Sequence, residues 1–158
     1  MIKIKWVITD NLSDITLEEF DNEWKGIISG YFELTINQNK EGFCPQRKIK
    51  EDEEGLEDIL YWLNHLLKGV HALKKGEEYE MFLLTMNVYR LVMKLDEGLH
   101  ISFINNKNNE TKWTEVVSMQ EFESELYESI EAFIQFIKKT NPALMDSKWI
   151  NRLKCPTG

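Results

Sequence analysis

The sequence predicts an α+β domain: an antiparallel sheet of about five or six strands with two long amphipathic helices packed on one face. Three observations predict it. Short apolar segments alternate with period two, two long segments carry apolar residues at helical spacing, and consecutive strands are joined by tight turns. The 158 residues and 42% apolar content suit a single domain over residues 1–158.

The strands are predicted from alternation and from the turns between them. In the first strand, Ile2 and Ile4 alternate with Lys3 and Lys5. The later strands are joined by connections too short for a crossover helix, so we expect an antiparallel meander. One hairpin is predicted at residues 96–98, with its glycine in the left-handed position. The predicted strands are residues 2–8, 31–36, 81–84, 89–95, 99–104 and 113–117.

The first long helix is predicted to open at Gly55 and to carry apolar residues through residue 73, with Gly76 as its C-terminal cap. The second is predicted to begin at the N-cap Ser118, where Glu121 completes a capping box, and to end before Pro142. Two shorter helical segments are predicted, one from Thr16 to about Trp24 and one docked after Pro142.

Charge narrows the classes of partner. The chain has 27 acidic and 19 basic residues, a formal net charge of −8 and a pI near 5.0. This surface repels nucleic acid, and no basic cluster interleaved with aromatics offsets the repulsion. A basic protein is the expected partner, because complementary fields speed encounter. No apolar run approaches the ~18 residues of a membrane span, and we expect a cytoplasmic protein without membrane contact.

No local motif for catalysis, metal binding or a cofactor is present. His65 and His71 are six residues apart on one predicted helix and do not share a face, and His100 is expected to be exposed. Cys44 and Cys155 have no neighbouring ligand and are expected to be free thiols, and their separation is left open. A site assembled from distant segments also stays open.

Two acidic surfaces are candidate partner-binding sites. The acidic run covers residues 51–58, and Trp62 lies one turn beyond its end as a possible anchor. The acidic helix face has three glutamates at i, i+4 and i+7, where repulsion costs about a few tenths of a kcal/mol per pair. Dipole complementarity and solvation are the simpler explanation of both. The candidate residues are Glu51, Asp52, Glu53, Glu54, Asp58 and Trp62 in the first surface, and Glu121, Glu125 and Glu128 in the second.

The helix Leu-Glu-Asp-Ile-Leu-Tyr-Trp-Leu-Asn-His-Leu-Leu and the closing Ser-Met-Gln-Glu-Phe segment, in a small acidic α+β chain, resemble immunity proteins of bacterial polymorphic-toxin systems. The resemblance is one of architecture over most of the chain, and it carries over no functional residue. It implies tight one-to-one binding of a cognate toxin, often a basic nuclease, by covering its active site or substrate groove.

The preferred hypothesis is therefore a non-enzymatic protein-binding domain. The alternative is a small-molecule-binding or enzymatic domain with a site between sheet and helices, built from residues such as Glu33, Tyr89, Arg90 and His100. A structural or regulatory subunit with a self-complementary apolar patch is a third possibility. The sequence does not determine the oligomeric state or the partner.

Overall fold

The computed structural model describes residues 1–83 and 88–153, and its described strands form two antiparallel four-stranded sheets. The first sheet contains β1 (Ile2–Ile8), β2 (Ser29–Ile36), β3 (Asn39–Gly42) and β4 (Glu57–Asp58). The second contains β5 (Tyr79–Phe82), β6 (Tyr89–Leu95), β7 (Leu99–Asn105) and β8 (Thr111–Val117), paired in chain order. The α+β class and the antiparallel meander are confirmed. The last residue of the predicted strand 81–84 lies outside the described residues.

Two long α-helices accompany the sheets, α1 over Ile59–Lys74 and α2 over Met119–Thr140. The predicted short helix near the N-terminus is a π-helical segment, Glu19–Glu23, and the predicted docked tail consists of two 3-10 helices, Pro142–Asp146 and Ile150–Leu153. The buried side chains of both sheets and both long helices belong to one apolar cluster.

The predicted single sheet of five or six strands is replaced by two sheets, because β1 and β2 pair with β3 and β4 while β5 to β8 pair with one another. β3 comes from a segment interpreted as a turn, and β4 from residues predicted to form the first turn of the helix that opens at Gly55. β3 folds back on β2 through a turn in which Asn37 has a φ of 55°. β4 has two residues, which pair with Ser29 and Gly30 of β2. Strands this short leave no period-two pattern to detect.

The predicted start of the first long helix at Gly55 was wrong by one turn. α1 begins at Ile59, and Asp58 is its N-cap, whose carboxylate accepts a hydrogen bond from Tyr61 N at 3.2 Å. Leu56 therefore lies outside the apolar stripe and is 83% exposed. Leu56 was predicted to be buried because it continues the helical spacing of the apolar residues.

The predicted N-cap at Ser118 and the glycine after the first long helix are confirmed, whereas the predicted position of the hairpin glycine is wrong. Ser118 accepts a hydrogen bond from Glu121 N at 3.3 Å at the start of α2, and Gly76 has a φ of 80° after α1. In the 96–98 hairpin, however, Glu97 rather than Gly98 takes the left-handed conformation, with a φ of 52°. The three-residue loop places its left-handed residue at the centre.

α1 packs against both sheets. It contacts β2 of the first sheet and β5 and β6 of the second, and it also contacts α2. Leu63, Leu66 and Val70 are fully buried along this helix. Gly69 faces Met93 so closely that a methyl group at this position would overlap the methionine side chain. The two sheets thus share one central helix.

α2 covers the free edge of β1, which pairs with β2 alone among the described strands. The Glu125 carboxylate accepts a hydrogen bond from Ile4 N at 2.9 Å, and the Trp6 indole donates to Ser129 Oγ at 3.0 Å. Phe133 meets the Trp6 ring edge-on at 5.7 Å. An uncovered edge would offer these backbone groups to another chain, so the helix closes a possible aggregation site.

Two carboxylates, Glu41 and Glu115, join the two sheets at β3 and β8. Glu41 of β3 is buried and accepts hydrogen bonds from Lys112 Nζ at 3.0 Å and from the Trp113 indole at 2.8 Å. Beside it, Glu115 of β8 accepts from the Asn39 side chain at 2.7 Å. Both carboxylates accept hydrogen bonds from the opposite sheet, and for the buried Glu41 these bonds offset the cost of burying a charge.

We expect Phe133→Ala to lower the free energy of unfolding by about 3–5 kcal/mol, because it removes a fully buried ring between α2 and β1. Phe136 also contacts Trp6 but is 37% exposed, so Phe136→Ala should cost roughly 1 kcal/mol. Urea denaturation followed by tryptophan fluorescence measures both. Equal losses in the two variants would contradict this packing of α2.

Candidate protein-binding surface

Glu53, in the centre of the acidic run, accepts the hydrogen bonds that order its loop and attach it to β2. Its carboxylate forms a bidentate pair with Arg47, at 2.7 and 2.9 Å, and accepts from the Tyr31 hydroxyl at 2.6 Å and from Lys50 N at 3.1 Å. The hydrogen bonds from Arg47, Tyr31 and Lys50 N hold the pKa of Glu53 at about 2. This carboxylate organises the loop from within.

Asp58 and Trp62 attach α1 to β2. Asp58 accepts from Ile28 N at 3.3 Å in addition to its capping bond, and burial raises the pKa of its carboxyl group. Trp62 is 3% exposed and stacks on Phe32 at a centroid distance of 4.5 Å. Its indole donates to Glu57 at 2.9 Å. The surface anchor predicted at Trp62 is thus placed in the core.

Three further acids of the run are exposed to solvent. Glu51, Asp52 and Glu54 are exposed, and within residues 1–83 and 88–153 their side chains form no hydrogen bond or ion pair. Two large apolar side chains of the same loop are also exposed, Leu56 at 83% and Phe43 at 61%. We call these five residues the exposed loop surface.

This loop is held in place at both ends. A methyl group at Gly55 would overlap the carbonyl of Gly30, so the loop lies directly on β2 at its C-terminal end. At the other end, the Phe43 ring packs edge-on against Tyr31 at 6.1 Å, and the Tyr31 hydroxyl donates to Glu53. The exposed loop surface is therefore preorganised, which lowers the entropy lost on binding.

The acidic helix face is mostly used internally. Glu125 supports the β1 edge through Ile4 N, and Glu121 lies 3.5 Å from the N-terminal ammonium group of Met1. Glu128 is exposed, and its side chain has no hydrogen bond within the part of the chain that the structure describes. The three glutamates line an open groove of about 440 Å³ beside the start of β1. Only Glu128 resembles the free acids of the loop.

Comparisons with protein-family models, with curated proteins and with solved structures found no match for this chain.

Neither a metal-binding cluster nor a membrane-spanning helix is found among the described residues. In residues 1–83 and 88–153, no three His, Cys, Asp or Glu side chains are grouped to hold a metal ion. Among the same residues, no helix has both the length and the apolar composition needed to cross a bilayer.

The residues suggested for a small-molecule site do not converge. Glu33 lies in the first sheet and accepts from Cys44 N at 3.2 Å. The other three lie in the second sheet, where Tyr89 stacks on a core phenylalanine, Arg90 donates to two asparagines after β7, and His100 bonds a backbone carbonyl. These groups serve local structure at separate places.

The predicted histidines and cysteines are also placed separately. His65 Nδ1 lies 2.6 Å from the Tyr79 hydroxyl, and the predicted lack of a face shared with His71 agrees with their places on α1. Cys44 is a buried free thiol whose pKa is raised by burial. Cys155 lies outside the described residues, so the separation of Cys44 and Cys155 is not described either.

Sequence reasoning missed the two apolar residues of the exposed loop surface. Leu56 continued the helical apolar period, and Phe43 lay in a segment interpreted as almost wholly polar. The available signal was Asp58, because an aspartate at the N-cap starts the helix at the next residue and leaves Leu56 outside it.

The wild-type protein should lose stability as the pH falls from 4.5, the ordinary pKa of a glutamate, through about 2, the folded pKa of Glu53. The sign follows from the lowered pKa: the ionised carboxylate stabilises the fold above the unfolded pKa, and protonation removes that contribution. We expect Glu53→Gln to be less stable at neutral pH and to have a flatter stability profile over this acid range.

Urea unfolding at a series of pH values measures this effect. Glu54→Gln is the matched control, because it removes a neighbouring charge that has no partner within the described residues, and it should retain the wild-type slope. A Glu53→Gln profile parallel to the wild type would show that the hydrogen bonds of the ionised Glu53 do not stabilise the loop.

Proposed function

We propose that this protein is a non-enzymatic binding domain whose exposed loop surface engages a basic protein. The observation that carries the proposal is the placement of Leu56, 83% exposed, beside three acids that have no partner within the described residues. The loop bearing them is held rigid through Glu53.

The arrangement has the composition of a binding hot spot. Full burial of a leucine side chain stabilises a complex by about 1.5–3 kcal/mol, and Phe43 provides a second apolar contact. Acids around such an anchor attract a cationic partner over longer range and raise the association rate. A surface used only for solubility would have no need of exposed leucine and phenylalanine side chains.

The resemblance to immunity proteins supplies the specific form of this proposal. In that form, the domain neutralises a cognate toxin, such as a basic nuclease, by covering its active site or substrate groove. The net charge of −8 and the preorganised acidic loop support it. Glu128 could extend the contact, while Glu53, Asp58 and Trp62 would act only through the fold.

We place this activity in the cytoplasm. The Cys44 thiol is free and buried, which suits a reducing compartment. A small-molecule or enzymatic function is the weaker alternative, because nothing in the described structure brings its four suggested residues together.

The first test changes charge at the loop. The partner is first captured at low salt on the tagged wild-type chain and identified by mass spectrometry, and one-to-one binding is then measured with the purified partner. The triple variant Glu51→Lys, Asp52→Lys and Glu54→Lys should slow association tenfold or more at low ionic strength, with a smaller effect at high salt.

The matched control reverses three other exposed acids, Glu18, Glu77 and Glu110, and changes the net charge equally. It should associate at close to the wild-type rate, since the local field governs the final approach. Equal slowing in both triple variants would show that net charge alone acts, and it would remove the loop from consideration.

The second test removes the apolar anchor. Leu56→Ala should weaken binding by roughly 1–3 kcal/mol, mostly through faster dissociation, and should leave the melting temperature unchanged because the side chain is exposed. Surface plasmon resonance measures the rates. Leu60→Ala, at a buried position one turn further along, should instead lower the melting temperature. Unchanged dissociation of Leu56→Ala would contradict the proposed anchor.

A further inference from the structure

A pocket of about 220 Å³ lies where three elements meet. One wall is the polar side of α1, a second is the turn at Lys25 and Gly26, and the third is the C-terminal segment with Trp149 and Arg152. The pocket shares no residue with the exposed loop surface. The charged side chains that line the pocket are mainly cationic, whereas those of the exposed loop surface are acidic.

Positive charge predominates in the pocket. Lys25, Lys68 and Arg152 line it, each from a different wall, and Asp58 is the one carboxylate among the lining residues. None of the three cations forms an ion pair within residues 1–83 and 88–153. The Asp58 carboxylate is already bonded to the backbone N–H groups of Ile28 and Tyr61.

The C-terminal wall is rigid and presents a guanidinium group. The guanidinium carbon of Arg152 lies 4.4 Å from the ring centroid of Trp149, so a cation–π contact holds the guanidinium group over the indole. Trp149 is itself fixed, because its indole donates to the carbonyl of Asp21 at 3.1 Å and its side chain fills the space beside Gly26. A guanidinium held in this way has N–H donors for bidentate recognition of an oxyanion.

The turn supplies a lysine at a conformation that does not favour lysine. Lys25 has a φ of 53° and follows directly after the π-helical segment and Trp24. Glycine or asparagine would suit this left-handed position better. Packing of the turn alone therefore does not account for a cationic side chain beside the pocket, and strained residues of this kind are concentrated at functional sites.

The helix wall adds neutral polar groups. Asn64 and His65 line the pocket one turn before Lys68. Burial and the charge of Lys68 lower the pKa of His65. The His65 Nδ1 atom lies 2.6 Å from the Tyr79 hydroxyl, and the Asn64 side-chain amide carries two N–H donors. The walls thus offer donors and positive charge together.

From this convergence we propose that the pocket binds a small anion that carries a phosphate group. Three cations from separate elements suit a dianion, and a guanidinium edge matches the geometry of phosphate oxygens. The volume is below the ~300–1,000 Å³ of most whole-ligand sites, so the pocket accommodates the phosphate and a small attached group. The rings of Trp149 and Tyr61 also line the pocket and contribute apolar surface to it. This inference is independent of the proposed partner binding.

The test titrates the full chain with inorganic phosphate and with phenyl phosphate at about pH 8, where the monoester is a dianion. Isothermal calorimetry and NMR chemical shifts are the readouts, and acetate at matched ionic strength is the control ligand. We expect saturable binding with a Kd of about 1 mM or tighter, and phenyl phosphate should bind more tightly than inorganic phosphate. No saturable phosphate binding, or equal binding of acetate, would overturn the proposal.

The double variant Lys68→Gln and Arg152→Gln should weaken phosphate binding tenfold or more and retain the wild-type fold by circular dichroism. Its charge-matched control, Lys75→Gln with Lys138→Gln, changes exposed lysines that do not line the pocket and should bind within about twofold of the wild type. Equal weakening in both double variants would reduce the effect to general charge and overturn the site.

Lys25→Asn separates function from folding. Asparagine is better suited to the left-handed turn, so the variant should melt at a higher temperature while its affinity for phosphate falls several-fold. A variant that is more stable and retains full affinity would remove Lys25 from the site and overturn the three-walled arrangement.

Discussion

The burial of α1 between two sheets is the constraint on which the rest of this molecule depends. One stripe of the helix is fully buried against β2, β5 and β6, which fixes its position and its rotation. The N-cap Asp58 then determines where the preceding loop ends, and the polar side of the helix forms one wall of the cationic pocket. The packing of α1 therefore fixes the positions of both surfaces that we propose to bind other molecules.

The acidic residues fall into two groups, according to whether their carboxylates accept hydrogen bonds within the protein. Glu41, Glu53 and Glu125 accept hydrogen bonds that join sheets, order a loop or cover a strand edge, and for these the charge is part of the architecture. Glu51 and Asp52 are exposed and unpartnered among the described residues. A carboxylate that already accepts several protein hydrogen bonds gains little from a lysine of a partner, whereas a solvated one retains its full long-range field.

The sequence predicts what is periodic and local, and it fails where long-range contacts decide. Three kinds of prediction are confirmed: the two long helices, the meander of the second sheet and the Ser118 cap. Each depends on residues that are adjacent in the chain. β3 and β4 were missed because they exist only by pairing with β2. Within the candidate site, the burial of Trp62 depends on Phe32, and the role of Glu53 depends on Tyr31 and Arg47, which are distant in the chain or lie in an irregular loop.

The residues that distinguish the two surfaces share a property that folding does not explain. Leu56 is almost fully exposed, and Lys68 and Arg152 are exposed without an ion pair in the described part of the chain, so none of them contributes much to the core. Lys25 goes further, because its left-handed backbone opposes stability. Residues that fold the protein can be recognised by what they bury or bond. These four are better explained by what they present: Leu56 is an apolar anchor in an acidic loop, and Lys25, Lys68 and Arg152 bring positive charge to one pocket.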